Sequence, residues 1–230
     1  MMDQTTTTTI LPKEIMAAVR WALRARGVAA GYARPIGELV LAAELATGVG
    51  LAHLLAFLQH EPPPLAKLDL LWDEGHNGRL DLHHHDPLLF ATAAFELAWA
   101  RACQRGWYAL ELVNGAASWP LLEPLLRQMA ARGSVGQVVA NGRTCYALPT
   151  ANNAIIVEQL PAGLELPPLP ETAVFTILCQ PHAPIAGLPT AQIEQRVAQW
   201  QQAQREGVGV ETAVWEPLKA IANEILVPTS

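Results

Sequence analysis

Four of the chain's seven histidines lie between Trp72 and Pro87, among four acidic residues: Trp72-Asp73-Glu74-Gly75-His76-Asn77-Gly78-Arg79-Leu80-Asp81-Leu82-His83-His84-His85-Asp86-Pro87. Imidazoles and carboxylates move protons near neutral pH and ligate divalent metals, so this stretch is where chemistry is expected. Arg79 to His85 alternates polar and apolar residues, which predicts a strand with Leu80, Leu82 and His84 on one face and Asp81, His83 and His85 on the other. His83 and His85 would then project together and could share one ion. Asp81 on the same face, or His76 in the preceding turn, is the candidate third ligand, with Asp73 or Glu74 orienting an imidazole from behind. No established metal motif has this spacing. A metal site, a general acid–base role and a solvated strand all remain open.

A second feature is the loop Val113-Asn114-Gly115-Ala116-Ala117-Ser118. It falls after an apolar strand and before a helix, beside His85 and Asp86 if the strands are parallel. The helix N-terminus there could hold an anion. The structural alternative is that Asn114 and Gly115 make the turn and Ser118 caps the helix. Together His83, His85, Asp86, Asn114 and Ser118 outline a candidate ligand crevice. His53, on an apolar helix among Leu51, Leu54, Leu55 and Phe57, reads as a packed histidine, and Trp21, Trp99, Trp107 and Trp119 read as core packing.

These residues need a frame. Pro12 to Arg26, Ile36 to Ala46 and Leu51 to Gln59 have helical periodicity, and Glu61-Pro62-Pro63-Pro64 forces an extended connector. The strand at Arg79 to His85 leads into a helix from Pro87 to Gln104, with Asp86 as N-cap and Gly106 past its end. Trp107 to Val113, Trp119 to Ala131 and Val135 to Ala140 then read as strand, helix and strand. This order predicts a parallel unit. Asn141-Gly142 signals a hairpin into antiparallel strands, with Ala154 to Glu158 as a further candidate. After a proline-rich connector over 160–170 come a strand at Ala173 to Cys179, a helix from Thr190 to Arg205 and a last helix from Glu211 or Thr212 to Ile225. The expected fold is α/β: an N-terminal helical layer (10–60), a central strand-helix-strand-helix-strand unit continuing into antiparallel strands (68–160), and a C-terminal strand and helices (171–230), all in one compact domain.

Composition narrows the function. The chain has 230 residues, 51% hydrophobic and 16% charged, with a formal charge of −6. Nucleic acid and anionic membranes call for clustered Lys and Arg and are not expected partners. Cys103, Cys145 and Cys179 are few and scattered, so they read as reduced structural thiols. The expectation is a soluble cytoplasmic protein with a frayed tail over Met1 to Thr9. Its partner is a small molecule or another protein, and a homo-oligomer is left open. No Gly-x-Gly-x-x-Gly, Walker or Gly-x-Ser-x-Gly pattern occurs, so no motif assigns NAD(P) or a divalent metal as cofactor.

Two resemblances follow. Glu44-Leu45-Ala46-Thr47-Gly48 and the ending Leu226-Val227-Pro228-Thr229-Ser230 resemble a bacterial family of about this size that brings no known activity. The central third is similar to the malate/L-lactate dehydrogenase family that lacks a Rossmann fingerprint. That likeness rests on Asp73-Glu74-Gly75-His76-Asn77-Gly78, the helix Phe90 to Gln104 with Arg105-Gly106, the strand reaching Val113-Asn114, and Ala131-Arg132-Gly133-Ser134-Val135-Gly136. The family's Ser-His-Gly-x-x-Arg stretch would fall at Ala52-His53-Leu54, without its serine, glycine and arginine. The family's His-Phe-Gly after the asparagine is replaced by Ala116-Ala117-Ser118. The resemblance thus implies a retained scaffold with altered catalytic positions. Two functions follow from it. One is an accessory protein binding a small polar metabolite or a partner subunit. The other is an enzyme, either a divergent NAD(P)-dependent 2-hydroxy-acid or imino-acid oxidoreductase or a metal-assisted hydrolase built on His83 and His85.

Overall fold

Pro12 fixes the backbone angle of a first helical turn, and Ile15, Val19, Ala22 and Leu23 recur on one face, so helix begins at once and buries that stripe. The structure, a computed structural model, describes residues 6–59, 68–151, 153–169 and 175–225. In chain order its elements are β1 (Thr7–Ile10), α1 (Pro12–Ala25), α2 (Ala30–Thr47), α3 (Gly50–Gln59), β2 (Asp69–Glu74), β3 (Asn77–Asp81), α4 (Pro87–Arg105) and β4 (Tyr108–Val113). They continue as α5 (Trp119–Ala131), β5 (Ser134–Ala140), β6 (Arg143–Pro149), β7 (Ala154–Val157), β8 (Phe175–Pro181), α6 (Ala191–Glu206), β9 (Val208–Glu211) and α7 (Thr212–Glu224). The connector at Glu61 to Pro64, the first two residues of the strand expected from Ala173, and the ending Leu226 to Ser230 lie outside the described residues.

The contacts divide the chain into two units, residues up to 65 with those from 195 onward, and residues 66–194. The expected 171–230 segment is therefore shared between them.

In the first unit α1 packs on α2 and α7, and α3 packs on α2 and α7. Thr7 to Ile10 are not frayed: they pair antiparallel with Val208 to Glu211. β-branched threonines suit a strand, and β9 supplies the ladder partner. Arg26 fastens the end of α1, donating through Nη1 and Nη2 to the Glu224 carboxylate and through Nε to the Leu58 carbonyl at 3.3 Å. Glu44 is buried on α2, and its carboxylate accepts from the Leu51 N–H at 2.9 Å, capping α3 from the preceding helix.

In the second unit a seven-stranded mixed sheet has the order β2-β3-β4-β8-β5-β6-β7. The expected parallel unit is corrected here. Only β3 and β4 are parallel neighbours, and β8 lies between β4 and β5, antiparallel to both. The cause is the run Phe175 to Cys179, buried at every position. A strand apolar on both faces belongs in the middle of a sheet, so this late strand inserts between two earlier ones. The hairpin at Asn141-Gly142 forms as expected, with φ of 51° and 72°.

Helices α4 and α5 pack on each other and on the strands. Phe90 meets Phe175 edge to face at 6.2 Å between ring centroids and is fully buried, as are Tyr108 and Leu110. Each such side chain contributes about 1.5–3 kcal/mol by leaving water. A second cluster joins Val135, Leu148 and Ile155 to Leu160, Leu164, Leu166, Ile185, Leu188 and Ile193. The tryptophans expected in the core are instead near the surface under guanidinium groups: Arg24 lies over Trp21, Arg132 over Trp99 and Arg143 over Trp119, while Trp107 stacks on His76. An amphipathic ring satisfies both neighbours at such a boundary.

The β2–β3 hairpin is anchored beneath by Asp73. Its carboxylate pairs with Arg101 at 2.7 Å and with Arg105, and accepts from the Tyr108 hydroxyl at 3.0 Å. A methyl built on Gly78 would lie 1.9 Å from that hydroxyl oxygen, so glycine is required where the hairpin crosses the ring. Burial, then the hydrogen bond to Asp73 and its charge, push the Tyr108 pKa from 10.0 up to about 12. A raised phenol pKa contributes stability that is complete below pH 10 and is lost as pH rises towards 12. Denaturant midpoints of the wild type and Tyr108→Phe, followed from pH 8 upward, should differ by about 1.5–3 kcal/mol at neutral pH, the range for a hydrogen bond to a charged group. The gap should narrow above pH 10. A gap that stays constant to pH 12 would remove this assignment.

Candidate functional site

β3 stops at Asp81, and the histidines lie in a turn beyond it. His83 and His84 have φ of 44° and 59°, and Asn114, just past β4, has 54°. Three of the four described non-glycine residues with positive φ therefore sit together at the carboxyl ends of the two parallel strands. Backbone strain of this kind is held by a network. Asp81 Oδ1 accepts from the His83 N–H at 2.8 Å and Asp81 Oδ2 from the Asn114 side-chain amide at 3.0 Å. The His84 N–H donates to the Asn114 carbonyl at 2.6 Å and the His85 N–H to the Leu82 carbonyl at 2.8 Å. Gly115 lies so close to Leu82 that a methyl on it would come within 2.2 Å of the leucine side chain.

The His83 ring faces two carboxylates. Nε2 is 3.1 Å from Asp69 Oδ2, and Nδ1 is 3.8 Å from Asp81 Oδ1. His83 is exposed, so an imidazole flanked by carboxylates is presented to solvent where it can exchange a proton. The hydrogen bond from the His83 backbone leads the effects on Asp81; with that from Asn114 and the nearby histidines it outweighs desolvation and holds the carboxyl below its usual pKa.

The expected strand geometry of the histidines is corrected. Two successive left-handed residues break the alternation, so His84 is exposed and His85 is buried, the reverse of a strand placing His84 towards packing. Burial first, and then the His83 charge, lower the His85 pKa, so it is neutral at pH 7. Its Nε2 has no hydrogen-bond partner among the described residues. His83 and His85 do not form a same-face pair. His76 is elsewhere, its Nδ1 3.0 Å from the Trp107 carbonyl and its ring stacked on Trp107 at the start of β4. Among the described residues no three His, Cys, Asp or Glu side chains converge to hold a metal ion, which removes the geometric basis of the set His83, His85, His76 and Asp81.

Asp86 caps α4 as expected, accepting from the Leu88 N–H at 2.9 Å. Ser118 occupies the N-cap of α5 without a side-chain hydrogen bond to it. The structure thus brings together Asp81, His83 and Asn114, and adds Asp69, which the sequence did not single out because β2 carries no alternation. Arg79, two residues before Asp81 on the same face of β3, was also passed over; it pairs with Glu111 at 2.8 Å, and both side chains are partly exposed.

A dinucleotide needs donors for its phosphates, and a phosphate meeting an arginine of the second unit would have to displace a carboxylate. All six arginines described in the second unit are paired with carboxylates: Arg79 with Glu111, Arg101 and Arg105 with Asp73, Arg127 with Glu123, Arg132 with Glu96, and Arg143 with Glu158. In the first turn of α5 Pro120 has no N–H, and the Leu121 and Leu122 N–H groups already donate to the Ser118 carbonyl.

No protein-family model and no curated protein matches the chain, so the bacterial family suggested by Glu44 to Gly48 gains no support. Solved structures do match. Malate dehydrogenase from Entamoeba histolytica aligns with a TM-score of 0.70 at 11% identity, covering 97% of this chain and 99% of that one. A dehydrogenase from Sinorhizobium meliloti aligns at 0.70 and 14%, covering 94% and 100%. Delta1-piperideine-2-carboxylate reductase from Pseudomonas syringae pvar. tomato aligns at 0.61 and 12%, covering 94% and 100%. The chain shares the fold of these oxidoreductases; at such identities the likeness is one of fold. No helix among the described residues is long and apolar enough to cross a membrane.

Proposed function

We propose that the chain is a divergent oxidoreductase of this fold, working on a small 2-hydroxy, 2-oxo or cyclic imino acid, with His83 moving the proton. The observation that carries this reading is the alignment of nearly the whole chain with dehydrogenases and an imino-acid reductase. The His83 geometry supports it. When a carbonyl or imine carbon is reduced, its heteroatom must gain a proton, and an exposed imidazole held by Asp69 and Asp81 is built to deliver one. Arg79 is the nearest cation along β3. Its pair with Glu111 is partly exposed and of a kind worth about 0–1 kcal/mol, so a substrate carboxylate can take its place at small cost. No residue is assigned to NAD(P).

A second reading, binding of a small polar metabolite without turnover, is favoured by a specific observation: the arginines are engaged, and the positions of the resembled catalytic stretch are Ala52, His53 and Leu54 on α3. One experiment separates the two. NADH and NADPH are titrated against tryptophan fluorescence, and their oxidation is followed with a panel of 2-oxo and cyclic imino acids. Turnover that falls about 10²–10⁴-fold in His83→Ala, with the fold retained, supports the oxidoreductase. Ligand binding by calorimetry with no dinucleotide binding supports the second reading, and neither response sinks both.

A further inference from the structure

The register across β2, β3 and β4 sets Trp72 opposite Arg79, Asp69 opposite Asp81, and Arg79 beside Glu111, all on one face of the sheet. The opposite face carries Leu80, Leu110 and Leu112, which are buried. Arg79 lies between two neighbours: its Nε donates to Glu111 at 2.8 Å, and its guanidinium carbon is 5.9 Å from the centre of the Trp72 ring. Trp72 is 37% exposed on a strand at the sheet edge, so its ring forms an open apolar wall. The same strand holds His83 through Asp69. β2 therefore places an aromatic surface beside the arginine while fixing the imidazole of the candidate site. The other described charged side chains on this face of the three strands are all acidic: Asp69, Glu74, Asp81 and Glu111.

We infer that the acid bound here is a monocarboxylate whose third carbon carries an apolar ring, an aryl 2-oxo or 2-hydroxy acid of the phenylpyruvate and 3-phenyllactate type. This rests on the reading above, in which Arg79 takes the acid's carboxylate and His83 moves the proton. Two independent features give the class. The first is the ring: in phenylpyruvate the keto and methylene carbons alone separate carboxylate from ring, so the ring meets Trp72 while the carboxylate occupies the neighbouring Arg79. An offset aromatic pair adds to the gain from taking both rings out of water. The second is charge. A dicarboxylate such as malate would bring another negative group among Asp69, Glu74, Asp81 and Glu111, with Arg79, the one described arginine on that face, already engaged. Like charges so placed select against it.

Calorimetric titration of the full chain with 3-phenyllactate, lactate and malate reads this without any turnover. Phenyllactate is expected to bind about tenfold or more tightly than either other acid, and Trp72→Ala should remove that advantage. Trp72→Phe should keep most of it, and circular dichroism checks that both variants fold. In Glu111→Gln malate should gain more affinity than phenyllactate. Malate or lactate binding as tightly as phenyllactate, no binding of phenyllactate, a phenyllactate affinity indifferent to Trp72→Ala, or equal gains in Glu111→Gln would each overturn the assignment. NADH and NADPH oxidation separates it from the reading on which it rests. Turnover of oxaloacetate in preference to phenylpyruvate keeps the oxidoreductase and overturns the aryl class. Phenyllactate bound through Trp72 without oxidation of either dinucleotide keeps the class and removes the oxidoreductase.

Discussion

Asp73→Ala is expected to destabilise the unit spanning 66–194 by about 1.5–3 kcal/mol, the range for a hydrogen bond to a charged group, because the ion pairs of the cluster are partly buried. The reason is what it leaves behind. Arg101 and Arg105 would face each other across the vacated position without a counter-charge, and the fully buried Tyr108 hydroxyl would lose its acceptor. Arg105 retains the Gly75 carbonyl at 2.8 Å, which keeps the hairpin turn attached but leaves the charge uncompensated. In a thermal melt the shift should be on the order of 10 °C. Asp73→Asn should fall between, since the amide oxygen still accepts. Desolvation raises the Asp73 pKa, but the hydrogen bonds from Arg105 and Tyr108 with both arginine charges outweigh it, so the net shift is downward. A depressed carboxyl pKa contributes stability present above about pH 3.8 and lost as pH falls through the lower folded value. The wild-type advantage over Asp73→Ala should therefore shrink in acid. A variant that melts with the wild type at pH 7 would show the cluster to be ornamental.

The same cluster shows what a sequence can and cannot disclose. Asp73 was visible only as a neighbour of histidines, because its partners lie 28, 32 and 35 residues away, on a helix and a strand whose relative placement no local pattern encodes. Locally determined features were legible. Asp86 with Pro87 opened α4, Gly106 closed it, Asn141-Gly142 made its hairpin, and α5 spans Trp119–Ala131 as its periodicity requires. Sheet order was not legible, since β8 takes its place by being apolar on both faces. The site was half legible. Asp81 and His83 are expected from the alternation as ligands on one strand face and Asn114 as part of a crevice beside His85 and Asp86, whereas in the structure Asp81 bonds both the His83 backbone and the Asn114 side chain. The alternation over Leu80 to His85 misassigned His84 and His85, because the Asp81 side chain bonds the His83 backbone and turns the chain before the strand can continue. Asp69 became a site residue only through the β2–β3 pairing, where it stands opposite Asp81.

The second large effect belongs to Gly50→Ala. At the start of α3 a methyl would lie 2.2 Å from the Val40 carbonyl oxygen and 2.7 Å from the Glu44 backbone nitrogen, both on α2. Neither atom can move without displacing a helix, so the two helices must separate. Glu44 turns that separation into a second loss. Its carboxylate reaches the Leu51 N–H only because the backbones touch, and parting them strands a buried acidic group and a buried donor. Overpacking costs about 1–3 kcal/mol and a buried unsatisfied group about as much again, so a loss of about 3–5 kcal/mol is expected. Burial raises the Glu44 pKa despite the hydrogen bonds it accepts. Protonation is therefore favoured in the folded state, and the stability linked to it is complete below about pH 4.5 and declines as pH rises through the folded value. Glu44→Gln keeps an acceptor without a charge, so it should match or exceed the wild type at neutral pH while Gly50→Ala falls far below it. Chemical denaturation of the three proteins at pH 7 checks the order. A Gly50→Ala midpoint equal to the wild type would mean that the two helices do not meet backbone to backbone.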